Sequence, residues 1–276
     1  MLTKIGTHFD EDFLSNSLDF LTLLDFHNPI CIKKSPGIEV WKARKFDANY
    51  FIKIINKYGP YAENISLETT IHRKFNPGIY FETYDHQNLS CLAIIELEKF
   101  RPESIQELRI VLNKYRSQPS EEYFFLPANR NLERLLTYAE KAVNNFTERR
   151  LIDSRIASNL KDSIQSISLF SQSQATVLCH GDVGDANFYQ RNEGPVLLDW
   201  EDCFWGFAGF DEIYYLTFLS NRFMISESTF KETGLDIEIA KATFALIVTL
   251  KEFIHSKSNL ESRKYSLIER LNFVNF

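Results

Sequence analysis

The first third of the chain sets short β-branched or aromatic runs between polar turn residues, a pattern typical of short β-strands. Turn residues such as Asp47-Ala48-Asn49 separate the apolar or aromatic runs. One helix, from about Ala62 to Phe75, is predicted between the third and fourth runs, and an opening helix is predicted after Asp10-Glu11-Asp12. The runs predict strands at Ile30 to Lys33, Ile38 to Phe46, Tyr50 to Ile55, Ile79 to Tyr84 and Leu92 to Leu97.

After Leu97 the pattern becomes mainly helical. Two short apolar runs interrupt it, at Thr176 to Cys179 and at Pro195 to Leu198, on either side of the polar segment His180 to Asn187. From Asp211 the pattern is helical again. Before the interruption, helices are predicted at Glu103 to Tyr115, Asn129 to Asn145 and Glu148 to Phe170, with a loop at Ser117 to Ser120.

These elements predict an α+β fold with two lobes. The first, residues 1–97, is a small N-terminal β-rich lobe, an antiparallel sheet with one key helix. The second, residues 98–276, is larger and mainly helical, and it carries the polar loop between short strands.

Composition and charge exclude several classes of protein. The 44% apolar and 14% aromatic residues far exceed the content of a disordered chain. The most apolar helical stretch, Ala242 to Leu250, is much shorter than the ~20 residues of a membrane span. The net charge is −6, without a basic run longer than two residues. We therefore expect no nucleic-acid partner and no membrane partner.

The N-terminus and the cysteines indicate the compartment. Residues 1–10 lack a basic segment followed by an apolar run, so a cytoplasmic protein is expected. The four cysteines show no paired spacing, which predicts reduced, mostly buried thiols and no structural zinc.

The polar loop has the spacing of a kinase catalytic loop. His180-Gly181-Asp182 follows a buried strand, and Asn187 comes five residues after Asp182. In protein kinases the Asp of such a loop accepts the proton of the substrate hydroxyl and the Asn holds Mg²⁺. His180 is predicted to orient the loop rather than to bind a metal. Ordinary turn chemistry is the alternative, and Asp185 is most simply a solvated turn residue.

A second magnesium ligand is expected on the turn after the next pair of strands. Mg²⁺ prefers oxygen ligands and bridges the β- and γ-phosphates of a nucleotide. Asp199, directly after the apolar run that ends at Leu198, supplies a carboxylate there.

Lys53 interrupts the strongly apolar strand from Tyr50 to Ile55. Because an unpaired ammonium in an apolar strand is costly, Lys53 needs an anion. Glu68 on the following helix is the natural partner, and Glu63 is the alternative. A lysine so placed in kinases pairs with the α- and β-phosphates. The other interpretation is that Lys53 faces solvent on an edge strand.

Three segments together resemble the aminoglycoside phosphotransferase and choline kinase group, which has the protein-kinase-like fold. The resemblance implies Mg-ATP-dependent phosphoryl transfer to a hydroxyl of a small molecule, with Asp182 as the catalytic base and Asp211 as a structural acid that anchors the loop. It implies that Asn187 and Asp199 hold Mg²⁺. The segments are His180-Gly181-Asp182-x4-Asn187, Leu198 to Asp202 and Gly209 to Ile213.

The same resemblance implies a nucleotide site in the N-terminal lobe. The adenine is expected near Glu96, Leu97 and Glu98, and the phosphates near the hairpin that contains Ser35. The chain departs from protein kinases in having Ser35-Pro36-Gly37 in place of G-x-G-x-x-G, and Trp200-Glu201 after Asp199 in place of the Phe-Gly of Asp-Phe-Gly. With no Ala-Pro-Glu segment, a protein substrate is not expected. A catalytically degenerate nucleotide-binding relative with a regulatory or scaffolding role is the alternative.

Acidic and aromatic residues after Asp199 are the candidates for contacting the acceptor. The carboxylates of Glu201, Asp202 and Glu212 would suit a cationic amino sugar, and Trp205 or Tyr214 could stack on a sugar or on a choline-like amine. The alternative is that the carboxylates are solvated and the rings belong to the core. A neutral sugar or alcohol would then serve equally well.

Overall fold

The computed structural model describes residues 11–59, 61–116, 126–127, 129–220, 222–255 and 264–275. The chain divides into two packing units. We call the unit of Ile5–Phe100 and Tyr189–Glu201 the sheet unit, and the unit that contains Arg101–Phe188 and Asp202–Phe276 the helical unit. The lobe boundary at residues 97 and 98 stays a prediction. The predicted loop at Ser117 to Ser120 lies outside the described residues.

The sheet unit is built on five antiparallel strands in the order β1-β2-β3-β5-β4. Short β-branched and aromatic runs form these strands, as the sequence predicts. Their bounds are β1 His27–Ser35, β2 Ile38–Lys45, β3 Ala48–Asn56, β4 Phe81–His86 and β5 Leu89–Ile95.

Both faces of this sheet are packed. On one face, Phe20 and Leu21 of helix α1 (Glu11–Leu23) join a core with Ile52 and other strand residues. On the other face, Ile65 of helix α2 (Asn64–Phe75) joins a second core. Because side chains alternate along a strand, Lys53 lies on this second face, opposite Val40 and Leu92 in the register.

A small three-stranded sheet completes the sheet unit. It brings Tyr189, Val196 and Leu198 into the second core. Its strands, in the order β6-β8-β9, are β6 Glu98–Lys99, β8 Phe188–Arg191 and β9 Gly194–Leu197.

The helical unit consists of helices and one antiparallel strand pair. β7 (Thr176–Cys179) pairs with β10 (Phe204–Phe207), and the polar loop follows β7. The β-rich first part and the helical second part confirm the predicted α+β class. The helices are α3 Ile105–Arg116, α4 Leu132–Glu148, α5 Ser154–Gln172, α6 Phe210–Leu219, α7 Glu227–Lys231, α8 Ile237–His255 and α9 Leu267–Asn272.

Capping residues move two helix starts relative to the prediction. Asn131 and Asp153 accept the backbone N–H groups of Arg134 and Ile156, so α4 and α5 begin directly after them. Arg150, with φ 57°, has a left-handed backbone conformation, which interrupts the helical path between α4 and α5. Within the described ranges, no helix is long and apolar enough to cross a bilayer.

Three of the four cysteines are buried, at positions 91, 179 and 203, whereas Cys31 is exposed on β1. β1 is an edge strand, so its side chains are covered less completely than those of the central strands. The cysteines of the structure are free thiols.

Candidate functional site

Lys53 lies at the centre of a buried ionic network in the sheet unit. Its Nζ donates to Glu68 Oε2 at 2.7 Å and to Asp199 Oδ1 at 2.5 Å, and Glu201 Oε2 lies 3.6 Å away. Glu63 precedes α2 at its N-cap and is not part of these contacts. Of the two predicted partners, Glu68 is therefore the one that the structure pairs with Lys53, and the solvent-facing interpretation is wrong.

The charges of this network stabilise one another. Burial lowers the pKa of Lys53, but Asp199, Glu68 and Glu201 more than reverse that effect, and the pKa stands well above its ordinary value. Burial raises the pKa of Glu68, whereas the Lys53 ammonium and the nearby His72 ring, whose Nε2 lies 3.6 Å from Glu68 Oε1, hold it below its ordinary value. The Lys53–Glu68 pair is therefore charged at neutral pH.

Glu68 also fixes the backbone of Asp199. Asp199 has φ 65°, in the left-handed region, and its N–H donates to Glu68 Oε1 at 3.0 Å. A non-glycine residue in a sparsely populated conformation costs about 1–3 kcal/mol and persists where its surroundings hold it. One carboxylate thus holds the Lys53 ammonium with one oxygen and the Asp199 backbone with the other.

The hairpin that joins β1 and β2 is tight. Ser35 pairs with Ile38, which leaves Pro36 and Gly37 as a two-residue turn, and Gly37 has φ 74°. Proline followed by glycine with positive φ is the residue choice of a type II turn. Ser35 is the half-buried last residue of β1, and its contact with phosphate stays a prediction.

The region predicted to hold adenine contains two aromatic rings that the sequence analysis missed. Leu97 packs against the second core, and Glu96 Oε1 accepts from Lys42 Nζ at 2.8 Å. Phe51, on the same strand face as Lys53, meets Tyr189 edge-on with ring centroids 6.1 Å apart. The spacing i, i+2 relative to Lys53 was the available signal for Phe51.

Tyr189 lies close enough to both Asp199 and Glu96 for their charges to act on its hydroxyl. Burial and the charges of Asp199 and Glu96 raise its pKa to about 12. Its ring also receives the Lys99 ammonium 3.7 Å from the centroid. Tyr189 is therefore a neutral, buried ring at neutral pH.

In the helical unit, the polar loop after β7 is fixed through its backbone. Asp182 N–H donates to His180 Nδ1 at 3.3 Å, which gives His180 the orienting role expected of it. The Asn187 side-chain amide donates to the Asp182 carbonyl at 2.7 Å. Gly181 has φ 78°, and a Cβ there would lie 2.3 Å from the Asp202 carbonyl oxygen, so glycine is required.

Asp211 anchors this loop from α6, as the resemblance implies. Its two carboxylate oxygens accept the backbone N–H groups of His180 and Gly181 at 2.9 and 3.1 Å. Burial raises the pKa of Asp211 in spite of the nearby Arg116. Arg116 Nη2 lies 3.8 Å from Asp211 Oδ2.

Glu212, predicted to contact the acceptor, is bound by Arg116. The guanidinium donates to both Glu212 oxygens at 2.8 and 2.7 Å, and Arg109 Nε lies 3.5 Å away. Burial raises the pKa of Glu212, but the hydrogen bonds and charge of Arg116 bring it below its ordinary value. A role of Glu212 towards the acceptor stays a prediction.

The other predicted acceptor residues have different surroundings. Glu201 faces Lys53, Asp202 is buried with its carbonyl close to Gly181, and half-buried Trp205 donates its backbone N–H to Arg130 O at 2.9 Å. Their contacts with an acceptor also stay predictions. Tyr214 is 4% exposed, and its hydroxyl donates to Asp182 Oδ1 at 2.6 Å.

Asp185 is not the solvated turn residue that the sequence suggested. Arg101 Nε lies 3.3 Å from its Oδ2, and the Tyr215 hydroxyl donates to its Oδ1 at 3.4 Å. Because both partners are distant in sequence, the loop spacing gives no signal for them.

Asn187 and Asp199 have the donor chemistry that Mg²⁺ requires. The Asn187 amide nitrogen is used by the Asp182 carbonyl, which directs the amide oxygen elsewhere. Asp199 has a carboxylate whose side chain is 27% exposed. Carboxylate and amide oxygens are hard ligands of the kind that Mg²⁺ prefers, so both residues fit the ion.

Comparisons with known proteins agree with this organisation. Residues 106–231 match the phosphotransferase enzyme family. No curated protein sequence matches the chain. Among solved structures, the Plasmodium vivax ethanolamine kinase gives a TM-score of 0.62 at 12% identity, covering 98% of this chain and 90% of that one.

Two further solved structures have the same fold. A choline kinase from Streptococcus pneumoniae gives a TM-score of 0.57 at 12% identity, over 96% of this chain and 98% of that one. A spectinomycin phosphotransferase solved with ADP and spectinomycin gives 0.59 at 14% identity, over 94% and 93%. The resemblance to the phosphotransferase family is confirmed over residues 106–231, and the protein-kinase-like fold class is confirmed.

Proposed function

We propose that this protein transfers the γ-phosphoryl group of ATP, with Mg²⁺, to a hydroxyl of a small molecule. The observation that carries the proposal is the Lys53 network, in which a buried ammonium bridges a helix carboxylate, Glu68, and the carboxylate after β9, Asp199. In kinases this lysine contacts the nucleotide phosphates, and the carboxylate after the strand holds the metal.

The proposed nucleotide-binding residues lie in the sheet unit. Lys53 would neutralise part of the triphosphate charge, with Glu68 orienting it, and Ser35, Glu96 and Leu97 would surround the nucleotide. Asn187 and Asp199 would hold Mg²⁺, which when bound neutralises charge on the phosphates.

The proposed base, Asp182, lies in the helical unit. In the proposed step, a bond forms between the acceptor oxygen and the γ-phosphorus while the bond from that phosphorus to the β-bridging oxygen breaks. ADP leaves with the bridging oxygen. The carboxylate of Asp182 takes the proton of the acceptor hydroxyl.

For the acceptor we propose contacts with Glu201, Asp202, Trp205 and Glu212, which would favour cationic amino sugars or choline-like amines. Glu201 lies 3.6 Å from Lys53, and Glu212 lies 2.7 Å from Arg116. These two cations would compete with a cationic acceptor for the carboxylates. Neutral sugars are therefore the matched comparison in any acceptor screen.

Calorimetry and an acceptor screen test the proposal. ATP should bind well in millimolar Mg²⁺ and poorly in EDTA, and ADP should form with at least one amino sugar, choline-like amine or neutral sugar. Equal ATP affinity in both buffers would exclude the metal assignment. Nucleotide binding without turnover on any acceptor or water would favour the degenerate, non-catalytic alternative.

Replacing the base separates binding from catalysis. Asp182→Asn should lower phosphoryl transfer by about 10²–10⁴-fold, because removal of a general base typically costs that much. Nucleotide affinity should stay within a few-fold of the wild type, since Asp182 acts on the acceptor hydroxyl. Wild-type turnover in Asp182→Asn would contradict the proposed mechanism.

A further inference from the structure

A tyrosine outside the catalytic loop contacts the carboxylate of Asp182. Tyr214 lies on α6, and its hydroxyl donates to Asp182 Oδ1 at 2.6 Å. Burial and the charge of Asp182 raise the pKa of Tyr214 well above its ordinary value. The hydroxyl is therefore neutral and serves as a hydrogen-bond donor at neutral pH.

The loop itself holds the backbone of Asp182, whereas Tyr214 holds its side chain. His180 accepts from the Asp182 N–H at 3.3 Å, and Asn187 donates to the Asp182 carbonyl at 2.7 Å. Neither contact restricts rotation about the side-chain bonds of Asp182. The hydrogen bond from a packed aromatic ring does, because the phenol can move only with α6.

A buried lysine lies behind the tyrosine ring. Lys251 of α8 is 8% exposed, and its Nζ lies 3.7 Å from the Tyr214 ring centroid. It also donates to Thr217 Oγ1 at 3.1 Å. A cation over an aromatic face is attracted to it, and its field makes the phenol hydroxyl a stronger donor. Lys251 thus occupies one face of the Tyr214 ring.

Further hydrogen bonds fix the turn of α6 that carries Tyr214. Thr217 Oγ1 donates to the Tyr214 carbonyl at 2.7 Å. From α9, Arg270 Nη2 donates to the Thr217 carbonyl at 2.9 Å and Nε donates to Ser220 Oγ at 3.0 Å. Three helices of the helical unit therefore determine where the Tyr214 hydroxyl lies.

We propose that Tyr214 is a positioning residue for Asp182 and that Lys251 holds and polarises Tyr214. The inference rests on the proposed function, since it concerns the base of that reaction. Tyr214 fixes the orientation of the carboxylate that receives the acceptor proton. Its loss therefore lowers turnover without weakening nucleotide binding.

Tyr214→Phe removes the hydroxyl and keeps the ring. The assay is Mg-ATP hydrolysis followed with γ-labelled ATP, in which water replaces the acceptor. We expect kcat to fall about 10–100-fold, as for a misplaced catalytic group, with the KM for ATP within about two-fold. Tyr138→Phe on α4, whose hydroxyl meets Arg134 at 3.5 Å, is the matched control and should keep wild-type kcat.

The Asp182→Asn background distinguishes positioning from general stability. There, Tyr214→Phe should cost no more than about two-fold further, because residues that act as a unit are not additive. An equal loss of kcat in both backgrounds, or a folded Tyr214→Phe with wild-type kcat, overturns the inference.

Lys251 variants provide a second test that does not need Tyr214→Phe to fold. Lys251→Met should lower kcat in the same direction but by less, and Lys251→Arg should restore it because it keeps a cation over the ring. Folded Lys251→Met with wild-type kcat overturns the role assigned to Lys251.

Proton NMR without nucleotide separates this inference from the proposed function. The protected Tyr214 hydroxyl should give a resonance that disappears in Tyr214→Phe and shifts in Asp182→Asn. A resonance unchanged by Asp182→Asn overturns the inference even if the enzyme is active. A shifted resonance in a protein without turnover supports the contact and leaves the failure with the proposed function.

Discussion

Each packing unit contains a buried cation among carboxylates, but the two cations differ in chemistry. In the sheet unit, the Lys53 ammonium has three carboxylates within 3.6 Å. In the helical unit, the Arg116 guanidinium binds both oxygens of Glu212 and lies 3.8 Å from Asp211.

The Lys53 ammonium is suited to exchange its partners, whereas the Arg116 guanidinium is suited to hold them. An ammonium is a compact point charge on a flexible stem, whereas a guanidinium presents donors in a rigid fork that matches a carboxylate. Lys53 can therefore turn from a carboxylate to a phosphate. Arg116 fixes Glu212 and supports Asp211, whose oxygens accept the backbone N–H groups of His180 and Gly181 in the polar loop.

Removing the guanidinium should have the largest effect. Arg116→Met leaves Asp211 without the guanidinium and Glu212 with only Arg109 Nε, 3.5 Å away, although both carboxylates are 1% exposed. Breaking a buried ion pair on one side typically costs about 3–5 kcal/mol, and we expect that loss in the free energy of unfolding. Urea unfolding measures it. A loss below about 1 kcal/mol, the range of exposed pairs, would show that Arg116 does not anchor this region.

Charge-conserving replacement of the lysine tests the other half of the comparison. Lys53→Arg keeps the charge but replaces a point donor with a planar fork, so we expect kcat/KM for ATP to fall about 10²-fold, about 2.7 kcal/mol, with a nearly unchanged melting temperature. Lys57→Arg, at the Lys57–Asp85 pair 3.2 Å apart, is the matched control. If Lys53→Arg keeps wild-type kcat/KM, the exchange role is wrong.

Local pattern accounts for what the sequence predicts well. The apolar run that Lys53 interrupts predicts a buried strand, and the need of its ammonium for an anion predicts a partner on the next helix, Glu68 or Glu63. The spacing of Asp182 and Asn187 predicts one loop that contains both residues. In the structure, the Asn187 amide donates to the Asp182 carbonyl at 2.7 Å. All these inferences depend on residues that are close in sequence or on a known spacing.

Partners from distant elements could not be predicted. Arg116 and Glu212 are separated by 96 positions, and Tyr214 reaches Asp182 across 32. From the sequence, the Tyr214 ring is predicted either to belong to the core or to stack on the acceptor. Only the packing of α6 and α8 decides which atom its hydroxyl contacts. For the same reason, the pairing of Glu212 with Arg116 could not be predicted, and a contact of Glu212 with a cationic acceptor stays a prediction.

The smallest expected effect is the pH dependence that Glu212 adds. The hydrogen bonds of Arg116 hold its pKa below the ordinary value in spite of burial, so the ionised form stabilises the fold above the unfolded pKa, near 4.5. That contribution is lost as the pH falls through the lower, folded pKa. Glu212→Gln should lose about 1–3 kcal/mol at pH 7, and its stability should fall less steeply in acid. Urea unfolding at neutral and acid pH measures both quantities. Glu193→Gln, which replaces an exposed carboxylate 2.7 Å from Arg191, is the control and should change stability by at most about 1 kcal/mol. If the free energy of unfolding falls equally steeply in acid for Glu212→Gln and the wild type, the Arg116 guanidinium does not favour the ionised form of Glu212, although the two groups are well aligned.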